Sequence, residues 1–194
     1  MYKPTFADGR LSLAFHELDD VPAKVAAKWA PKTKELDVSH NNLRDLRSLE
    51  LFRDIHTLVL DDNKLPARIK FPIFPLLKTL WINKNNIANL AEFIEGASAS
   101  FPELEYLSMM NNPAAPSFFN GGTVEQYNDY RLFVISHFPQ LKTLDDTPIS
   151  DQERASAKKV YARVASMTKL MRTSSKPVLA KDRDADTFSL IGSV

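Results

Sequence analysis

The sequence predicts an α/β solenoid, in which short strands stack into one parallel sheet and a longer segment connects each strand to the next. Three observations lead to this prediction. Apolar residues follow the spacing L-x-x-L-x-L-x-x-N-x-L, successive copies start 22 residues apart, and Phe and Pro recur at fixed offsets before the copies. A unit of this size can bury its apolar face only against a neighbouring copy, so the copies must stack.

Three copies of the pattern follow one another without interruption, starting at Thr33, Ile55 and Leu77. A fourth copy starts at Leu104 and a truncated fifth at Leu141, and a degenerate copy can be placed upstream on Leu11, Leu13 and Leu18. The pattern is that of a leucine-rich repeat array with about five to six repeats and a parallel, concave β-sheet.

The repeated positions have different expected roles. The strand residues of the L-x-L pairs point into the core, and a Phe three residues before each of the last four starts closes the convex side: Phe52, Phe74, Phe101 and Phe138. The Asn of each copy offers an amide that can bond the backbone of neighbouring turns, which a tight bend would otherwise leave unpaired. These residues are Asn41, Asn63, Asn85 and Asn112.

The composition favours an interaction protein over an enzyme. The 194 residues include 25 basic and 24 acidic side chains and no Cys, which excludes disulfides, Cys-based zinc sites and thiol catalysis. No phosphate-binding loop, zinc-protease motif or nucleophile elbow occurs, and His40 and His56 lack a third metal ligand. We therefore expect no catalytic activity, no cofactor and no metal.

Targeting features are absent as well. The first ten residues contain no apolar signal region, and the longest apolar stretch, residues 71–77, is interrupted by two prolines and too short to span a membrane. These observations predict a cytoplasmic protein without a transmembrane segment.

The predicted concave face carries a candidate binding patch. Alternate strand residues of successive repeats line up on this face, which brings together Val59, Trp81, Tyr106 and Met110. Aromatic anchors within a polar rim are typical of a protein interaction hot spot. The same face mixes acidic and basic residues, so direct binding to nucleic acid is disfavoured.

The C-terminal part has a different organisation. Helical spacing predicts a helix over residues 124–137, and the capping box from Ser150 to Glu153 predicts a second helix that begins at Asp151. We divide the chain into a repeat domain with its cap at 1–149, a basic amphipathic helix at 150–172 and a flexible tail at 173–194.

The second predicted helix carries one apolar stripe, formed by Ala157, Val160, Val164, Met167 and Met171. This stripe could pack against the end of the array, bind a partner or lie on a membrane surface. Near the C-terminus, Phe188, Leu190 and Ile191 predict a docking peptide for a further partner.

Two resemblances narrow the function. Residues 130–145 read Y-R-x-x-V-I, then Pro139, then L-x-x-L-D, and resemble the C-terminal cap of short repeat proteins typified by the A-prime subunit of the spliceosome. From Leu43 to about Ala155, the chain more closely resembles the family of leucine-rich melanocyte differentiation-associated proteins, including the polar insertion that precedes Tyr127.

The melanocyte-protein resemblance implies an adaptor that acts as effector of a Rab-family small GTPase. Such an adaptor would link vesicles or lysosome-related organelles to an endosomal retrieval complex, and partners would recruit it to vesicle membranes. The alternative is a constitutive structural subunit of a larger assembly that clasps a partner domain. That assembly would be spliceosomal, with a nuclear location, or axonemal.

Overall fold

The computed structural model describes the backbone of residues 3–117 and 120–174, and side chains as far as residue 162. Its strands form one sheet in sequence order, parallel from β2 to β7 and antiparallel at both ends. The strands are β1 (Thr5–Ala7), β2 (Arg10–Ser12), β3 (Glu35–Asp37), β4 (Thr57–Val59), β5 (Thr79–Trp81), β6 (Tyr106–Ser108), β7 (Thr143–Leu144) and β8 (Thr147–Pro148). The predicted α/β solenoid is confirmed.

Helices and 3-10 turns occupy several of the return segments. The α-helices of the described residues are α1 (Ala23–Trp29), α2 (Leu90–Ser100), α3 (Val124–His137) and α4 (Asp151–Ser174), with 3-10 turns at Ala30–Lys32 and Arg47–Leu49. Helix α3 has the predicted bounds, and α4 begins at the predicted residue. Helix α2 was not predicted; it fills the longer spacing between the third and fourth repeats and is capped by Asn89, which accepts from the Glu92 N–H.

The core is a column of leucines that lie opposite one another on adjacent strands. Each is completely buried, so the inner face of the sheet is continuous from β2 to β7: Leu11, Leu36, Leu58, Leu80, Leu107 and Leu144. Since side chains alternate along a strand, the residues on either side of these leucines point to the opposite face, which we call the concave face.

The recurrent phenylalanines form a second buried column along the return segments. Phe52, Phe74 and Phe101 are inaccessible to solvent and Phe138 is nearly so. Phe74 stacks on Phe101 with ring centroids 5.9 Å apart, and Phe71 meets Phe101 edge-on at 5.2 Å. The prediction that these rings close the convex side is confirmed.

The repeat asparagines satisfy the backbone where each strand turns away from the sheet. Asn63 Oδ1 accepts from the Leu43 N–H at 2.9 Å, and Nδ2 donates to the carbonyls of Val38 and Leu60, both at 3.0 Å. Each buried amide therefore joins its own turn to the preceding repeat. The same pattern of bonds recurs at Asn41, Asn85 and Asn112.

The N-terminal end of the array is closed by a hairpin that the sequence reasoning missed. Strands β1 and β2 pair through a two-residue turn, and Asp8 and Gly9 both have positive φ there, as a type I′ turn requires. Phe6 stacks on Trp29 of α1 with centroids 4.6 Å apart. The dipeptide Asp8-Gly9 was the available signal for this hairpin.

The C-terminal cap is held by buried polar groups. Tyr130 donates to Asp145 Oδ2 at 2.6 Å, while Asp145 Oδ1 accepts from the Met109 N–H at 2.8 Å. The nearly buried Arg131 donates to Glu153 at 2.6 Å and to the Leu144 carbonyl at 3.0 Å. These bonds tie α3, the last parallel strands and the start of α4 together.

The first turns of α4 follow the predicted capping box. The Glu153 N–H donates to Ser150 Oγ at 3.2 Å, and the Ser150 N–H donates to Glu153 Oε2 at 2.9 Å. Residues 1–161 form one compact unit and residues 162–194 a separate one. Within the described part of the chain, no helix is both long and apolar enough to cross a membrane.

Replacing Asn63 with Ala should lower the free energy of unfolding by about 3 kcal/mol. The substitution leaves the buried Leu43 N–H and the carbonyls of Val38 and Leu60 without the hydrogen bonds that Asn63 provides. Asn42→Ala is the matched control, since its side chain makes one exposed bond of 3.3 Å to the Glu17 carbonyl. We expect a loss of about 0.5 kcal/mol or less for the control. Urea denaturation measures both, and equal losses would contradict a structural role of the repeat Asn.

Candidate protein-binding site

The predicted patch lies on the concave face of β4 to β6. Val59 pairs with Trp81 across β4 and β5, and Thr79 pairs with Tyr106 across β5 and β6. Met110 follows β6. All four patch residues, Val59, Trp81, Tyr106 and Met110, are partly exposed rather than freely exposed. The structure therefore brings them to one face, as a shallow surface and not as protruding side chains.

The centre of the patch is an aromatic pair. The rings of Trp81 and Tyr106 lie 4.9 Å apart between centroids and are tilted by 33°. The Tyr106 hydroxyl donates to the Asp146 carboxylate, which lies beyond β7. This bond fixes the Tyr106 ring, so that the pair presents a preorganised apolar surface. No sequence pattern predicts this contact, which joins residues 40 positions apart.

Charged residues on one side of the aromatic pair are mutually paired. Glu105 accepts from Lys142 at 2.5 Å and lies 3.0 Å from the Lys78 Nζ. Both lysines lower the pKa of the Glu105 carboxyl, Lys142 most strongly. Two lysines thus share one carboxylate, and the trio forms a polar rim with one net positive charge.

On the other side of the pair, Asp61 is a half-buried carboxylate. It accepts from the Asn83 N–H at 2.7 Å and from Asn83 Nδ2 at 3.3 Å. Burial raises the pKa of Asp61 in spite of these bonds. Asp37, by contrast, accepts from Arg10 at 2.9 Å and from the Ser39 hydroxyl at 2.7 Å. Of these two carboxylates on the concave face, Asp37 is therefore ion-paired, whereas Asp61 is held by amide groups.

A cavity of about 1050 Å³ opens beside α3 and was not predicted. Its wall includes the insertion after the fourth repeat, where Gly122 packs so closely that a Cβ would lie 2.8 Å from Pro116. Apolar lining comes from Leu90, Pro116, Phe133 and Tyr161, and Asp129 supplies the one carboxylate among the lining residues. The insertion itself, with Asn120-Gly121-Gly122, was expected from the sequence, whereas the cavity beside it was not.

The second predicted site falls only partly within the described residues. The start of α4 packs through Arg154, Ala157 and Tyr161, because Ala157 is 1% exposed and the Tyr161 ring meets Phe133 at 5.5 Å. Val160, predicted to share a stripe with Ala157, is 43% exposed instead. The helix therefore uses an adjacent face for packing, since Tyr161 follows Ala157 by one turn.

The other predicted residues of this site lie outside the described part of the chain. They are the side chains of Val164, Met167 and Met171, and the tail residues Phe188, Leu190 and Ile191.

A sequence model of the family described as leucine-rich repeat matches residues 32–173, which is well over half of the chain. The chain belongs to the leucine-rich repeat family. As a member of this family, it is a module for protein–protein interaction.

Relatives within the family refine this assignment. The chain is 38% identical over 129 residues to human leucine-rich melanocyte differentiation-associated protein, a match that covers 64% of this chain and 65% of that protein. It is 30% identical over 129 residues to human U2 small nuclear ribonucleoprotein A', covering 65% of this chain and 46% of the relative. The chain thus spans less than two thirds of each relative's length.

A solved structure shares the fold. The crystal structure of the Drosophila melanogaster SNF/U2A' complex contains a chain that matches with a TM-score of 0.65 and 24% identity, over 84% of this chain and 87% of that one. At this identity the match shows the architecture alone.

Tyr106 gives the site a pH dependence that can be measured. Burial and the Asp146 carboxylate raise the pKa of Tyr106 above its usual value near 10. The unfolded chain therefore releases this proton first, so the stabilisation is present below about pH 10 and is lost as the pH rises further. Tyr106→Phe should make stability fall less steeply between about pH 10 and 11.5.

Chemical denaturation at several alkaline pH values measures this slope. Asp146→Asn leaves the partial burial of the Tyr106 ring in place but removes the carboxylate, so its slope should lie between those of the wild type and Tyr106→Phe. Identical slopes for all three proteins would show that Tyr106 is not held in this way.

Proposed function

We propose that this protein is a non-enzymatic subunit of a larger assembly and holds a domain of another protein against its concave face. Val59, Trp81, Tyr106 and Met110 serve as the anchors. The contact between the Trp81 and Tyr106 rings, 4.9 Å apart between centroids, is the observation that carries the proposal. Tryptophan and tyrosine dominate the binding energy of protein interfaces, since they bury much area at little cost in conformational freedom.

The charged groups around the anchors support a protein partner. Lys78, Glu105 and Lys142 form a polar rim on one side, while the half-buried Asp61 carboxylate, held by Asn83, lies on the other. A rim of this kind orients a partner without adding much affinity. The repeated acidic groups on the same face oppose a phosphate backbone, so the partner is a protein rather than a nucleic acid.

The relatives favour a constitutive assembly. Several are named U2 small nuclear ribonucleoprotein A', and the matching solved chain was crystallised in a complex of SNF and U2A'. By this analogy, the protein would be a permanent part of a nuclear complex.

A Rab-family effector is the second candidate. It rests on the 38% identity to the melanocyte differentiation-associated protein and on the function that the resemblance implies. In that case the chain would link vesicles to an endosomal complex, from the cytoplasm. The two candidates differ in one measurable property, because an effector binds only one nucleotide state of its GTPase.

The C-terminal segments would contact a further partner in either case. Val160 is exposed next to the packed face of α4 and can contribute to such a contact. We retain the division into a repeat domain at 1–149, a helix at 150–172 and a tail at 173–194 as the functional organisation. Val164, Met167, Met171, Phe188, Leu190 and Ile191 remain the proposed contact residues of the helix and tail.

Trp81→Ala should weaken binding of the concave-face partner by about 2 kcal/mol, or roughly 30-fold. The folding free energy should fall by only about 1 kcal/mol, because the ring is partly exposed already. Ile73→Ala is the matched control, as this side chain is 70% exposed on a return segment. Titration calorimetry with the purified partner measures both, and equal affinities for the two variants would refute the concave site.

Nucleotide dependence separates the two candidate functions. The tagged full-length protein and its Trp81→Ala variant are used to capture partners from cells of the source, with GTP or GDP added. The assembly subunit is supported by a partner that the wild type captures equally with GTP and GDP and that Trp81→Ala fails to capture. This partner should also elute with the protein in a fixed ratio on gel filtration. A GTPase recovered with GTP alone would overturn it in favour of the effector.

A further inference from the structure

Phe15 is an aromatic side chain that the fold does not bury. It is 73% exposed, more than any other large apolar side chain in the described residues. It follows β2 at the edge of the sheet where the parallel strands end, outside the patch around Trp81. Exposed aromatic surface of this kind marks an interaction site when it is held in place.

One face of the Phe15 ring is covered and the other is open. The ring stacks on His40 with centroids 4.0 Å apart and an angle of 10° between the planes. His40 Nδ1 in turn lies 2.9 Å from Asp62 Oδ2, so the imidazole donates to the carboxylate and is fixed by it. Phe15, His40 and Asp62 come from three successive repeats, which we call the edge stack.

The loop that carries Phe15 is anchored on both sides of the ring. The Phe15 N–H donates to the Ser39 carbonyl at 3.2 Å, and the N–H groups of His16 and Leu18 donate to Asn41 Oδ1 at 3.1 and 3.0 Å. The ring is therefore presented on rigid backbone, which reduces the entropy lost when a partner binds.

The surroundings of the edge stack are acidic. Glu17, Asp19 and Asp20 follow Phe15 and are exposed, and no ion pair in the described part of the chain includes any of them. The Arg47 guanidinium donates a hydrogen bond to the Asp45 carboxylate at 2.6 Å. Its interaction with Asp20 is a longer-range electrostatic attraction. Asp62, the carboxylate of the stack itself, is exposed as well and bonds His40. A partner for this surface must bring positive charge.

We propose that the edge stack is a second docking site, which receives an arginine-bearing basic segment of a protein partner on the open face of Phe15. A planar guanidinium stacks on an aromatic ring and bonds carboxylates at the same time, which the ammonium of lysine does less well. Nucleic acid bases also stack on rings, but the surrounding carboxylates repel phosphate. This inference rests on the proposed function, because it assumes that the protein binds another protein.

Phe15→Asn is the test variant. Phe15 has a φ of +60°, a conformation that asparagine adopts more readily than phenylalanine, so the variant should fold at least as stably as the wild type. Leu51→Asn is the matched control, because it removes an apolar side chain that is 58% exposed in another part of the repeat array. Thermal unfolding establishes that both variants are folded.

The binding probe is a capped tetrapeptide with two central arginines, compared with peptides that carry lysine or glutamine instead. The full-length protein is titrated, and the ring resonances of His40 are followed by NMR. We expect saturable shifts with the arginine peptide, affinity about threefold weaker with lysine, and no saturation with glutamine. Phe15→Asn should abolish the saturation, whereas Leu51→Asn should match the wild type.

Three results would overturn the proposal: unchanged affinity in Phe15→Asn, equal binding of the glutamine peptide, or stronger binding of a single-stranded RNA oligonucleotide than of the arginine peptide. Because Trp81 takes no part in this assay, each of these results leaves the concave-face proposal intact. Conversely, a Trp81→Ala variant that binds its partner normally would not affect the result at Phe15.

Discussion

The buried asparagine amide of each repeat is the interaction on which the fold depends. A chain that leaves the sheet and bends sharply buries N–H and carbonyl groups that regular secondary structure would otherwise satisfy. Asn63 satisfies groups of its own turn and of the preceding repeat at once. Because the amide links two repeats, each turn is stable only when its neighbour is in place. Stacking thus follows from the polar groups as well as from the leucine column.

Because the leucines and the repeat asparagines stabilise the array from its interior, the concave face is available for binding. The leucine column fills the core on one side of the sheet, so the residues that alternate with the leucines are not needed to build it. Trp81 can therefore be large and aromatic at a position where the neighbouring repeats carry Val59 and Ser108. The closed ends matter equally, since the hairpin at β1 and the Arg131–Glu153 pair protect the flanks of the array. A rigid sheet with protected ends presents the anchors without further ordering.

The periodicity of the sequence predicted the contacts that recur from repeat to repeat. It did not predict contacts that occur only once in the fold. The leucine positions recur along the array and the phenylalanine and asparagine positions each recur in four copies, so their roles follow from the spacing alone. The bond from Tyr106 to Asp146 joins a repeat to the cap, and no local pattern encodes such a pair. The packing of α4 shows the same limit. Ala157 belongs to the stripe through Val160 and also to the face through Tyr161, and only the position of Phe133 decides between them.

The two proposed surfaces would act on a partner in different ways. Around Trp81, Glu105 is neutralised by two lysines, so binding there depends on buried aromatic area and should change little with salt. Around Phe15, the carboxylates of Glu17 and Asp19 are exposed and form no ion pair with any residue that the structure describes, so their field extends into solvent and weakens as salt is added. A basic segment would be attracted first to the edge stack, which speeds encounter, and the aromatic pair would then slow dissociation. The aromatic pair around Trp81 would thus provide most of the affinity, and the edge stack around Phe15 would provide the charge recognition.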